Sequence, residues 1–196
     1  MANIIWPSEA IPREFNLSRY TKVVRNVAIF GRKGQNIDML NDRWLASVQI
    51  AARDADTSPI LESFVNKLKA GASTVECYHF GRPEISGLLL SDMVTSTNPQ
   101  GSEYLNVSAA TGSTLKAGDM LGVSGLLLQV AFDCTAVSNA IQIPLTIRLR
   151  KPLSSGITVV TSKPTTKFRL SDIGSTTYGP GATIRGISLN LAEDIT

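Results

Sequence analysis

A chain of 196 residues is long enough to bury one core or two small ones. Its 43% hydrophobic and 18% charged residues describe a folded soluble protein and exclude the disordered class. A net charge of +3 does not by itself call for nucleic acid. No apolar run approaches the roughly 18 residues of a membrane span.

The opening "MANIIWPSEAIPREF" has no basic segment leading into an apolar run. It does not read as a signal peptide, and folding in the cytosol is the expectation. Pro7 and Pro12 favour an extended arm over Ile4 to Phe15 before any regular element. Its apolar residues Ile4, Ile5, Trp6, Ile11 and Phe15 have two outlets: a neighbouring copy of the chain, or the chain's own core. "KVVRNVAIF" is β-rich, and "GRKGQN" reads as a turn. In "RWLASVQIA" Trp44, Ala46, Val48 and Ile50 fall on one face, the pattern of a half-buried strand.

A helix follows over Pro59–Ala70, with Ser58 as N-cap and Gly71 as its stop. Ile60, Leu61, Phe64, Val65 and Leu68 form its apolar stripe. "STVECYHF" returns as a strand. From about Gly81 short β-like runs alternate with Gly, Ser, Asn and Pro: "GLLLSDMV", "EYLNVSA", "DMLGVSGLLLQVAF", "AIQIPLTIRL" and "ITVVTSK". Ser124-Gly125 suits a two-residue hairpin turn. "KFRLSDIG" and "GATIRGISLNLAED" give two final strands.

The implied fold is mainly β (α+β), a β-sandwich or barrel subunit with one amphipathic α-helix. Residues 1–84 read as an arm plus a strand–helix–strand unit. Residues 85–165 read as the β-barrel or sandwich domain, and 166–196 as strands returning to the first unit.

Charge is unevenly distributed. Five basic residues and no acid lie between Arg19 and Lys33, and six and none between Arg148 and Arg169. Glu84 to Asp133 carries five acids and one Lys. This is either ordinary solvated surface or a pair of opposite patches that meet between neighbouring copies.

Reaction chemistry finds little footing. The single His79 lies near Glu76 and Cys77 without a surrounding motif, and reads as a structural residue. Cys77 and Cys134 sit in apolar stretches, as buried thiols do, and no metal-ligand spacing or cofactor loop occurs. No cofactor, metal or catalytic residue is expected. "LKAGD" at Leu115–Asp119 also occurs in self-splicing β-barrels, but those begin with Cys or Ser and end in His-Asn. Here the ends are "MANIIW" and "AEDIT", so "LKAGD" reads as a turn between strands. A self-processing enzyme and a carbohydrate- or receptor-binding β-module remain the alternatives. The module has thin support, because Tyr104, Phe132 and Phe168 are widely spaced.

Four segments in order carry a resemblance: "NDRWLASVQIAARDADTSPILESFVNKLKAG", "TLKAGDMLGVSGLLLQVAFDC", "IQIPLTIRLRKPL" and "KPTTKFRLSD". Together, from Asp42 to Asp172, they resemble minor tail proteins of long-tailed bacteriophages, in particular the distal tail protein group. The resemblance implies a non-enzymatic β-sandwich subunit of the virion, assembled in the host cytoplasm as a ring, commonly of six. Such a ring joins the tail tube protein to hub and tip proteins, and DNA meets it only in passage through the bore. One departure is that no carbohydrate module follows Asp172, which turns the expectation away from direct receptor binding. Trp6, Ile11, Phe15, Arg25, Arg148 and Arg150 are the candidate oligomer interface.

Overall fold

The computed structural model describes residues 3–21, 23–27, 34–38, 42–51, 54, 56–69, 73–172, 175–178 and 184–195. Of these, 23–27, 34–38, 69, 175, 176, 178, 184 and 185 are described as backbone only. Strands β1 (Asn3–Ile4) and β2 (Pro12–Tyr20) precede the hairpin strands β3 (Val23–Val27) and β4 (Gly34–Asp38), then β5 (Arg43–Ala51). Helix α1 (Ser58–Lys69) leads to β6 (Thr74–Cys77) and β7 (Met93–Thr95). Short strands follow: β8 (Tyr104–Ser108), β9 (Thr114–Leu115), β10 (Met120–Val123), β11 (Leu126–Gln129), β12 (Cys134–Thr135), β13 (Ala140–Pro144) and β14 (Thr158–Val159). β15 (Thr166–Leu170), β16 (Ser175–Tyr178) and β17 (Ile184–Glu193) complete the order. Among the described residues the fold is mainly β with one helix, as the sequence pattern implies.

Two units divide the chain. The first takes Met1–Ser18, Trp44–Pro83 and Lys163–Thr196, and the second Arg19–Arg43 and Glu84–Ser162. Unit 1 is built on a seven-stranded sheet in the order β1-β6-β15-β17-β5-β2, with β16 also pairing β17. The alternation of β5 holds: Trp44, Ala46, Val48 and Ile50 are all buried. Across the sheet, Leu189 pairs with Val48 and Leu191 with Ala46, so the inward faces of β17 and β5 coincide. Helix α1 buries Leu61, Phe64, Val65 and Leu68, whereas Ile60 flanks the stripe and stays 47% exposed. Its ladder begins with Leu61 N–H donating to the Thr57 carbonyl at 3.3 Å. Thr57 therefore stands at the cap, and the Ser58 hydroxyl turns back to donate to the Asp54 carbonyl at 2.8 Å.

The N-terminal arm departs from expectation. Asn3–Ile4 adds a short parallel strand to β6, and Pro12 opens a nine-residue strand at the other edge of the sheet. A turn closed by Ala10 N–H to the Pro7 carbonyl at 3.0 Å joins them. Pro7 and Pro12 flank the turn, where their missing N–H groups cost no ladder bond.

Unit 2 surrounds one apolar core that includes Leu105, Leu115, Leu121, Leu128, Ile143 and Leu149. Its sheets are small: β13-β8-β7-β14, the hairpin β10-β11, the pair β12-β9 and the hairpin β3-β4. Isolated bridges between Gly122 and Val160, and between Val130 and Leu145, tie them together. The expected turn is present at Ser124-Gly125, with φ of 50° and 78°, and a second one stands at Ser138-Asn139, with φ of 50° and 60°. Two successive left-handed residues match the twist of the flanking strands. "GLLLSDMV" contributes a strand only at Met93–Thr95.

Candidate functional site

The arm residues converge on an aromatic cluster in unit 1. Trp6 lies 5.3 Å from the Phe64 ring and 5.1 Å from Phe80. Phe15 meets Phe80 and His79, both at 5.2 Å, and Tyr78 lies against Phe80 at 4.6 Å. The indole N–H of Trp6 donates to the Ala10 carbonyl at 2.7 Å, so the turn that reverses the arm also satisfies its one polar group. Of the two outlets open to these residues, Trp6 and Phe15 take the chain's own unit. The signal was present in "ECYHF", whose aromatic density the strand pattern alone did not convert into a cluster.

Not all of the arm is covered. Ile5 is 84% and Ile11 62% exposed. Ile4, Ile5, Pro7, Ile60 and Phe64 line a groove of about 460 Å³ between the arm and α1, with Lys67 at its side. This groove needs Ile60 to flank the helical stripe, which periodicity does not decide.

The candidate arginines lie in unit 2. Arg148 holds Glu103 in a forked contact, its Nε at 3.0 Å and Nη2 at 2.6 Å from Glu103 Oε1. Arg150 donates to the Asp42 carbonyl at 2.9 Å. Asp42 itself is buried and pairs with Arg19 at 2.6 Å, while Arg19 also reaches the Thr146 carbonyl. Arg19 and Asp42 stand at the two feet of the excursion that carries β3 and β4, so this pair clasps its base. The side chain of Arg25 lies outside the described residues.

"LKAGD" forms a dense polar structure. Asp119 is buried, and its carboxylate accepts from the N–H groups of Ser86 at 2.7 Å, Gly87 at 3.3 Å and Lys116 at 2.8 Å. Gly118 has φ of 92°, which lets the chain double back at that point. Gly87 passes so close to β9 that a Cβ there would meet the Thr114 carbonyl oxygen at 2.0 Å. Asp133 accepts from Ala117 N–H at 2.8 Å and pairs with Lys116 at 2.9 Å. The Ala117 N–H and the Lys116 ammonium hold the Asp133 carboxyl below its ordinary pKa. This loop is a staple between segments.

Around His79 burial dominates the behaviour of the titratable groups. Burial pushes the Cys77 thiol well above its ordinary pKa, and Glu76 adds to the rise. Burial lowers the His79 pKa, with Arg82 acting in the same direction against a backbone hydrogen bond. Its Nδ1 is buried without a hydrogen-bond partner among the described residues. Among the described residues no three His, Cys, Asp or Glu side chains are grouped to hold a metal ion, and no helix is long and apolar enough to cross a membrane. No family model matches the chain, and no curated protein matches it.

Proposed function

We propose that this protein is a structural subunit of a bacteriophage tail tip, forming a ring of six copies between the tail tube and the tip or baseplate. The reading makes the protein a virion component that contacts hub proteins and admits DNA through its bore. The observation that carries it is the exposed apolar surface of unit 1: Ile5 and Ile60 stand largely in water on one groove, and Ile11 of the same arm is also exposed, although Trp6 and Phe15 are packed. Exposed apolar side chains of this kind are a liability in a monomer and an asset in an assembly. The sheet supports the same reading. β1 and β2 end its strand order, and a ring needs two different surfaces on each copy that fit one another.

Light scattering or mass photometry on the purified chain, followed by negative-stain imaging, tests the proposal. A closed ring is the expected result. Ile11→Asp is expected to abolish the ring while leaving the thermal melt of the subunit unchanged. A chain that remains monomeric up to about 1 mM, where even an association of about −4 kcal/mol is half complete, overturns it.

A further inference from the structure

A strip of unit 2 is the chemical complement of the apolar groove on unit 1. Leu88 is 61% and Leu90 57% exposed, while Leu89 between them packs against the core of unit 2. Their exposure does not come from a loose backbone. Leu88 N–H donates to the Thr114 hydroxyl at 3.0 Å, and its carbonyl accepts from Thr114 N–H at 2.7 Å. Leu90 N–H donates to the hydroxyl of buried Ser113 at 3.2 Å, and the Ser91 hydroxyl accepts from Ala110 N–H at 3.0 Å. A segment pinned in this way presents its leucines in a set position and loses little entropy when they are covered. Asp92 follows, exposed, and its carboxylate engages no described residue.

The groove offers the reverse. Ile4, Ile5, Pro7, Ile60 and Phe64 form its apolar part. Lys67 is the one charged residue among the described residues that line it, and its ammonium engages none of them. The fitting occupant brings apolar side chains with an unpaired acid beside them.

A ring joins two different surfaces of each copy, which directs the search for that occupant to unit 2. Among the described exposed apolar side chains there, Leu88 and Leu90 meet the condition and the others do not. Phe132 precedes Asp133, but Lys116 already pairs with that carboxylate at 2.9 Å. Tyr104 follows Glu103, which Arg148 holds. Tyr20, Val137 and Val160 have no acid within two residues in sequence. We propose that the Leu88–Asp92 strip of one copy seats in the groove of a second copy, its leucines against Ile5 and Ile60 and Asp92 facing Lys67. This docking rests on the ring proposal and names the head-to-tail contact that a ring needs.

The test is complementation between two variants of the full chain, read by light scattering and sedimentation. Leu88→Asp spoils the strip and Ile60→Asp the groove. Both residues are exposed, so each variant is expected to be a monomer with an unchanged melting temperature. If Ile60→Asp disturbs the fold, Ile5→Asp is read in its place. Mixed at up to about 1 mM, the two variants are expected to form a one-to-one dimer and nothing larger, because one intact groove then meets one intact strip. Lys67→Glu is expected to weaken assembly of the otherwise wild-type chain by about two- to fivefold, and adding Asp92→Lys to restore it. A ring that Leu88→Asp leaves intact overturns this docking, assigns the groove to another occupant and leaves the ring proposal standing. A mixture that stays monomeric while the wild type assembles overturns the docking as well. A wild-type chain that stays monomeric to about 1 mM overturns both.

Discussion

The two units reach stability by different means. Unit 1 has long strands: nine residues in β2 and in β5, ten in β17. Long strands satisfy their backbone groups in the ladder, so their side chains are left to pack, as in the Trp44 face of β5. Unit 2 has strands of two to five residues, and much of its backbone runs between them. There polar side chains do what the ladder cannot. Asp119 takes three N–H groups, and buried Asn98 bonds the Ser96 and Asn106 carbonyls and the Asn106 N–H. Asn139 receives both the N–H and the hydroxyl of Thr111. Among the described residues of unit 1 a comparable device is buried Glu193, which accepts from Trp44 N–H and the Thr166 hydroxyl. The lesson is that apolar truncation threatens unit 1 most and loss of a carboxylate threatens unit 2.

Both tryptophans lie in unit 1, so their fluorescence follows that unit, while hydrogen exchange of amides in 84–162 follows the other. Trp44→Ala carries the largest expected effect, a loss of about 4 kcal/mol from unit 1. It is measured by urea unfolding on the remaining Trp6 signal; an unchanged midpoint would mean that the inward face of β5 is not what holds the sheet. Asp119→Ala comes next, with about 3 kcal/mol lost by exchange in unit 2, because three N–H groups lose their acceptor. Equal loss of the tryptophan-monitored transition would erase the contrast between the units. Gly87→Ala is expected to cost unit 2 about 2–3 kcal/mol, since the added carbon meets backbone rather than a yielding side chain. Wild-type protection at Thr114 and Leu115 in that variant would contradict the close approach.

Trp6→Ala is smaller, about 1–2 kcal/mol from unit 1, because Trp6 is half-buried and loses two ring contacts. Sequence reasoning alone places its effect on assembly and leaves the monomer intact. The aromatic cluster changes that expectation, and under the proposed reading Ile11 is the residue whose loss is expected to act on assembly.

The smallest effect is a pH slope. The folded-state pKa of His79 lies below its ordinary 6.5. As pH falls, the unfolded chain takes up the proton first, so stability is complete above 6.5 and declines between 6.5 and the lower folded value. His79→Gln is expected to flatten tryptophan-monitored melts between about pH 7.5 and about pH 5.5. A slope that survives the substitution would assign it to another group.

Legibility followed the same divide. The faces of β5 and the stripe of α1 could be read because period 2 and period 3.6 are local properties of the chain. The Ser124-Gly125 turn was equally plain, since few residue pairs accept two left-handed positions. Ser138-Asn139 carried a similar cue, yet its place was fixed by Thr111, 28 residues away. For the candidate interface, the sequence identified apolar arm residues but could not sort packed Trp6 and Phe15 from exposed Ile5 and Ile11. It also could not anticipate that Arg148 is held by Glu103, 45 residues distant.

By itself, then, the chain determined a mainly β architecture, one amphipathic helix between two strands and the burial of Trp44, because each follows from neighbours a few residues apart. Only the tertiary structure decided that "LKAGD" is a carboxylate staple, that the arm is divided between core and surface, and that Ile4 and Ile5 of the arm meet Ile60 of α1 in one groove. Those outcomes depend on partners tens of residues away in sequence, and local periodicity holds no record of which distant segment a side chain will meet.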